Sequence, residues 1–174
     1  LTGPAIMAGG RGIAWAKGQP IFEAVAAKYE GTPCCNLFGK PGAGHFIKMV
    51  HNGIEYGAMH LFAELYIYLE KGRGMDSNSI VSIFEQLNKN LTTGYLAEIT
   101  LELVNTRTEP DGKPLMHIVD DAVEQKGTGR WAIEAALDYG AAIPTIAEAV
   151  FARTLSSNTA LRRESINISR TAKN

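Results

Sequence analysis

The sequence predicts a mainly α-helical protein that opens with a short α/β segment, residues 1–41 before the helices of residues 42–174. Two observations carry this. From Gly42 onward, apolar residues recur at helical spacing in one stretch after another, separated by glycine, proline or a capping side chain. Before Gly42 the pattern is strand, helix, strand, which is an α/β unit but too short to make a stable sheet by itself.

Residues 4–10 are an apolar run ending in Gly9 and Gly10 and read as a strand. Pro20 is expected to start a helix, with Ile21, Phe22 and Val25 on its inner face. Gly31, Thr32 and Pro33 end it, and residues 34–38 form a second strand bounded by Gly39. A helix beginning near Gly42 runs to about Lys71, some 30 residues or ~45 Å. Its second half, with Leu61, Phe62, Leu65, Ile67 and Leu69, is apolar around much of its circumference and is expected to be buried among other helices. Gly72 and Gly74 stop it. Asp76 or Ser77 then caps a helix with the stripe Ile80, Ile83, Phe84 and Leu87. A further helix starts near Thr93, with Leu96, Ile99 and Leu103 inward, and Pro110-Asp111-Gly112 marks a turn. Residues 115–123, 130–139, 144–155 and 160–169 complete the helical set.

The chain has 174 residues and a net charge of −1, enough for a real core and without the charge of a nucleic-acid surface. No apolar run reaches the ~20 residues that span a bilayer. Neither nucleic acid nor membrane is therefore an expected partner. The basic stretch of Arg162, Arg163, Arg170 and Lys173 reads as a solvated helix end. Cys34 and Cys35 are adjacent, do not suit a mutual bridge, and fit small strand residues in a reducing compartment such as the cytoplasm. His45, His51, His60 and His117 lack a ligand pattern, so no metal is expected.

One helical face is chemically mixed. Lys48, His51, Asn52, Glu55 and Tyr56 fall at offsets 0, 3, 4, 7 and 8, while Phe46, Met49 and Val50 take other sides. An ammonium, imidazole, amide, carboxyl and phenol on one face are the groups of proton transfer and substrate orientation. By position alone Lys48 is a surface lysine; its neighbours make a general base the better reading, with burial beside dipoles expected. Glu55 is its acid partner two turns away, ~10 Å along the axis, or else an ordinary ion-pair member. Tyr56 is otherwise a core aromatic. Gly39, Gly42 and Gly44 do not match the dinucleotide fingerprint G-x-G-x-x-G; they admit a cofactor or another backbone at close range. Lys126-Gly127-Thr128-Gly129 at a helix start is either an anion site or a turn with solvated charges. Arg153, in an otherwise buried-looking helix, requires an anionic partner.

Gly39-x-x-Gly42-x-Gly44-x-x-x-Lys48-x-x-x-Asn52 resembles the substrate-site signature of the β-hydroxyacid dehydrogenases. The string from Gly42 to Tyr56, the run Gln125-Lys126-Gly127-Thr128-Gly129-Arg130-Trp131, and the stretch from Glu148 to Ser157 resemble the 6-phosphogluconate dehydrogenase family in particular. The likeness extends from Gly3 to about Arg170.

It implies oxidative decarboxylation of 6-phosphogluconate to ribulose 5-phosphate with NADP as cofactor, in a homodimer. Lys48 and Glu55 would be catalytic; His51 and Asn52 would hold the hydroxyl and carboxylate end of the substrate, and Tyr56, Lys126, Thr128 and Arg153 its phosphate. Residues 1–41 would be the edge of the NADP-binding Rossmann-like domain, and residues 42–174 the first part of the helical substrate and dimerisation domain. The resemblance also makes the chain a central stretch of such an enzyme. It lacks the nucleotide fingerprint, the serine-glycine-glycine loop and the C-terminal tail. By itself it is expected to be inactive and to self-associate. A dehydrogenase for another small hydroxyacid, or a non-catalytic helical oligomerisation module, remains open at this point.

Overall fold

A computed structural model describes residues 3–90, 94–110 and 112–171. The chain divides into two compact units, Leu1–Gly53 and Ile54–Asn174. Thr93, Asp111 and Lys173 lie outside the described residues.

In the first unit, β1 (Ile6–Ala8) pairs in parallel with β4 (Cys35–Leu37), Ile6 opposite Cys35 and Ala8 opposite Leu37. Between them the chain forms α1 (Gly12–Val25) and a small antiparallel pair, β2 (Lys28–Tyr29) with β3 (Thr32–Pro33). The helix does not start at Pro20. It starts at Gly12 after an extended Arg11, and Pro20 lies inside it, where the missing N–H removes one internal hydrogen bond. The expected inner face is also not covered: Ile21, Phe22 and Val25 are all exposed. A two-stranded sheet offers too little surface to bury a helix face. Trp15 and Phe22 instead stack on each other, ring centroids 5.8 Å apart.

Helix α2 (Ala43–Ile67) begins in the first unit and continues into the second, where a π-helical turn, Tyr68–Gly72, extends it to the expected glycine stop. The second unit adds α3 (Ser77–Asn90), α4 (Tyr95–Asn105), a 3-10 turn (Leu115–His117), α5 (Thr128–Tyr139), α6 (Pro144–Ser157) and α7 (Thr159–Thr171). No helix among the described residues is long and apolar enough to cross a membrane.

Asp76 is the cap of α3: its Oδ1 accepts from the amides of Asn78 and Ser79 at 3.0 and 3.1 Å. The α3 stripe is inside as read, with Ile80 and Phe84 almost fully buried. They form the core with Tyr66, Leu69 and Val104, and Phe62 packs against it, its ring 6.4 Å from that of Phe84. The face of α4 is rotated from expectation. Ala97 and Val104 are buried, Leu96 and Ile99 are half-buried, and Leu103 is exposed. The late part of α2 is likewise divided: Leu69 is buried and Leu65 partly so, but Leu61 and Ile67 are exposed.

The expected helix over residues 115–123 is only the turn Leu115–His117. Asp120 accepts from the Ala122 amide at 3.2 Å, a side-chain bond that competes with helix continuation.

A polar cluster closes one side of this core. The Tyr66 hydroxyl donates to Glu70 Oε1 at 3.1 Å, Lys71 Nζ lies 3.0 Å from Glu70 Oε2, and His117 Nε2 makes a short contact with Glu70. Burial, reinforced by the bond to Glu70, pushes the Tyr66 phenol up to about 12. Burial also opposes ionisation of Glu70, but its bonds from His117, Lys71 and Tyr66 outweigh this and hold the carboxyl below its usual range.

The two shifts give stability terms on opposite sides of pH. Glu70's contribution is present above the unfolded carboxyl value, ~4.3, and is lost as pH falls through its lower folded value. Tyr66's is present below the unfolded phenol value, ~10, and is lost as pH rises toward about 12. Urea unfolding across pH is expected to show Glu70→Gln flattening the acid limb and Tyr66→Phe flattening the alkaline one. Unchanged limbs in both variants would remove the cluster from the pH dependence.

Candidate functional site

The foot of α2 is fixed by backbone contact. A Cβ built on Gly44 would lie 2.1 Å from the Met7 carbonyl oxygen, and one on Gly9 would lie 2.8 Å from the Gly44 amide nitrogen. Of the three glycines read as admitting a cofactor or another backbone, Gly44 admits a backbone, so that α2 starts directly against the end of β1, while Gly42 has no atom within 4 Å of its Cβ position. Lys48 lies one turn beyond Gly44 on the same stripe, and its Nζ is 3.4 Å from His51 Nδ1. Lys48 is exposed, not buried as expected, because the first unit has few elements to cover it. His51 and Asn52 are half-buried.

In the second unit, Glu55 and Tyr56 continue the same helix and are half-buried. The Arg153 guanidinium carbon sits 3.7 Å from the centroid of the Tyr56 ring. Arg153 Nη1 donates to the Glu124 carbonyl at 3.3 Å, and Nη2 approaches Met59 Sδ at 3.8 Å. These partners are a π face, a carbonyl and a thioether. They orient the guanidinium without neutralising it, so the anionic partner expected for Arg153 is not among them. A cleft of about 300 Å³ opens beside this pair, lined by Met59, His60, Asp121, Ala152 and Ser156 as well as Tyr56 and Arg153; the Asp121 carboxylate on its wall is paired with Arg162.

The start of α5 reaches the same ring. Gly129 is buried, and a Cβ there would lie 2.5 Å from Val150 Cγ2 and 3.2 Å from Tyr56 Cδ2 and Cε2. Only a glycine lets this helix end approach so closely. Gly127 precedes the helix with φ 95°, a left-handed backbone, and its carbonyl accepts from the Trp131 amide at 3.0 Å. The first N–H groups of α5 receive no side-chain cap from Gly127. Thr128 opens the helix half-buried, and Lys126 is exposed just before it.

Of the residues singled out from sequence, the second unit thus brings Tyr56, Arg153 and the α5 start bearing Thr128 together. Lys48 and His51 meet in the first. Sequence reasoning missed the segment leading to Lys126. Val123's amide donates to Ser156 Oγ at 3.1 Å, and Asp121 is paired with Arg162. Arg162 is therefore not the solvated helix-end charge it was expected to be. Nothing in local spacing joins residues about forty positions apart.

The chain shares its fold with 3-hydroxyisobutyrate dehydrogenase of Mycobacterium tuberculosis, 18% identical with a TM-score of 0.58, covering 87% of this chain and 49% of that one. The 6-phosphogluconate dehydrogenase of Plasmodium falciparum is nearer, 31% identical with a TM-score of 0.83, covering 91% of this chain and 34% of that one. The family model described as 6-phosphogluconate dehydrogenase, C-terminal domain, matches residues 44–174. The NADP(+)-dependent decarboxylating 6-phosphogluconate dehydrogenase of Bacillus subtilis is 45% identical over 90% of this chain and 34% of its own length. The NAD(+)-dependent enzyme of the same bacterium gives the same three values. The chain belongs to the 6-phosphogluconate dehydrogenase family. It spans about a third of the length of the curated relatives it matches.

Gly129→Ala is expected to disturb the site more than its one methyl implies. The new Cβ must displace Val150 or Tyr56, and overpacking of this kind costs about 1–3 kcal/mol. Denaturant unfolding together with the Tyr56 ring signals in NMR checks this. Unchanged stability and unchanged ring signals would mean the contact relaxes freely.

Proposed function

We propose that this chain carries the proton-transfer groups and the phosphate cradle of a 6-phosphogluconate dehydrogenase that decarboxylates its substrate to ribulose 5-phosphate. The observation that carries the reading is the half-buried Arg153 cation on Tyr56, whose partners among the described residues are neutral, beside the start of α5, which Gly127 leaves without a side-chain cap. A guanidinium held by neutral groups, the first N–H groups of a helix and a nearby hydroxyl and ammonium suit a phosphate. The relatives of Bacillus subtilis, Mus musculus and Plasmodium falciparum are 6-phosphogluconate dehydrogenases, which supports the substrate.

In this reading Lys48 takes the C3 hydroxyl proton as that carbon is oxidised to the ketone. The β-keto acid then loses C1 as carbon dioxide, and Glu55 protonates the carbon of the enediol that had carried it, giving the ketose. Asn52 and His51 hold the hydroxyl and carboxylate end. Tyr56, Lys126, Thr128 and Arg153 hold the phosphate. The oxidation calls for a nicotinamide cofactor, NADP, as hydride acceptor. Gly9 and Gly44 are taken up by backbone contact and make no pyrophosphate cradle. The working enzyme in this reading is a cytoplasmic homodimer.

In the full-length enzyme, Lys48→Met and Glu55→Gln are each expected to lower turnover by ~10²–10⁴-fold with folding unchanged. Near-normal turnover in either variant would take that residue out of the mechanism.

The anion cradle has a separate test. Arg153→Ala and Lys126→Ala are expected to weaken 6-phosphogluconate far more than unphosphorylated gluconate, read as the ratio of kcat/KM for the two. Equal losses would make both cations structural.

A further inference from the structure

The segment that delivers Lys126 and Thr128 is irregular, yet it is held at three successive points by α6 and α7. Asp121 is paired with Arg162: Nη1 donates to Oδ1 at 3.1 Å, and Nη2 makes a shorter contact with Oδ2, a two-pronged arrangement. Arg162 Nη1 also donates to the Ser156 carbonyl at 2.9 Å. Ser156 Oγ accepts the Val123 amide at 3.1 Å and donates to the Arg153 carbonyl at 2.9 Å. Arg153 in turn donates to the Glu124 carbonyl. Lys126 follows two residues later, and Thr128 begins α5.

Arg162 is only 32% exposed although it sits near the start of a polar helix. The pairing raises its already high guanidinium value further and holds Asp121 below the usual carboxylate range, each through the side-chain bond between them. Ser156 is the joint: one hydroxyl couples the backbone of the irregular segment to the backbone of the residue that holds the guanidinium over Tyr56.

We propose that Asp121, Ser156 and Arg162 form a clamp that sets the distance between Arg153 and the turn at residues 126–128, and so tunes recognition of the substrate's phosphate. Asp121 and Ser156 border the cleft beside Arg153, and the part given to all three is positioning. The inference rests on the phosphate reading of Arg153, Lys126 and Thr128. It adds that the spacing of these groups is imposed from α7, by a salt bridge on the far side of α6's end. An ordinary surface ion pair contributes little to stability, so the effect belongs in ligand selectivity.

The test uses the full-length enzyme with Ser156→Ala, Arg162→Ala and the reversed pair Asp121→Arg with Arg162→Asp. The single variants are expected to raise KM for 6-phosphogluconate about tenfold, the scale seen when outer partners of metal ligands are removed. With kcat near that of the parent, kcat/KM for gluconate is expected to stay within about twofold, because binding common to ground and transition states moves KM alone. The reversed pair is expected to recover most of the loss. Thermal midpoints are measured alongside, and Ser156→Ala, which removes one hydroxyl, guards against an arginine variant that fails to fold. Unchanged KM in the single variants, or parallel losses on both substrates, would overturn the clamp. An unaltered enzyme without preference for the phosphorylated substrate would overturn the function proposed above and the clamp with it.

Discussion

The second unit's site depends on one close approach: α5 meets the Tyr56 ring at a position where no side chain larger than hydrogen fits. A Cβ on Gly129 would stand within 2.5 Å of Val150, a residue of α6. α6 also carries Arg153, whose guanidinium covers the same ring. Three helices therefore share one aromatic ring as their point of registration. A stack of this kind contributes on the order of 0.5–2 kcal/mol. What it supplies is direction. The ring holds a cation in place and leaves its charge available.

The foot of α2 repeats the device within the first unit. Gly44 lies against the carbonyl of Met7, so the helix rises from the end of a strand with no side chain between them. Lys48 follows one turn later. Within the first unit, α2 presents Lys48 and His51 from a helix, and helices hold such groups more reproducibly than loops do.

Local features with local causes were legible in the sequence. The α3 stripe and its Asp76 cap need nothing beyond periodicity and one hydrogen-bond acceptor, and both are found. The polar face from Lys48 to Tyr56 was legible for the same reason. Features set by what packs from elsewhere were not. The α1 face of Ile21 and Val25 has no cover in a two-stranded unit. On α4 Ala97 and Val104 take the inward places and Leu103 turns outward, a rotation set by the helices it packs against and not by its own periodicity. Residues 118–123 hold apolar side chains at helical spacing, but Asp120 captures a backbone amide and the chain leaves the helix. Arg162 was misread because its partner lies across the fold; a terminal cluster of arginines looks solvated until a carboxylate from another segment reaches it.

The two polar clusters of the second unit show how a structural charge differs from one set out for a ligand. Glu70 is complete: a phenol, an ammonium and an imidazole surround it, and its side chain is 17% exposed. Every favourable contact to its charged form is made inside the chain, so a ligand could only displace one. Arg153 is similarly withdrawn from solvent, yet its partners are a ring face, one carbonyl and a sulfur. Desolvation of a cation costs several kcal/mol, and neutral partners return part of that. The shortfall is made good when an anion arrives, and it is largest for an anion with several oxygens that can also take the first N–H groups of α5.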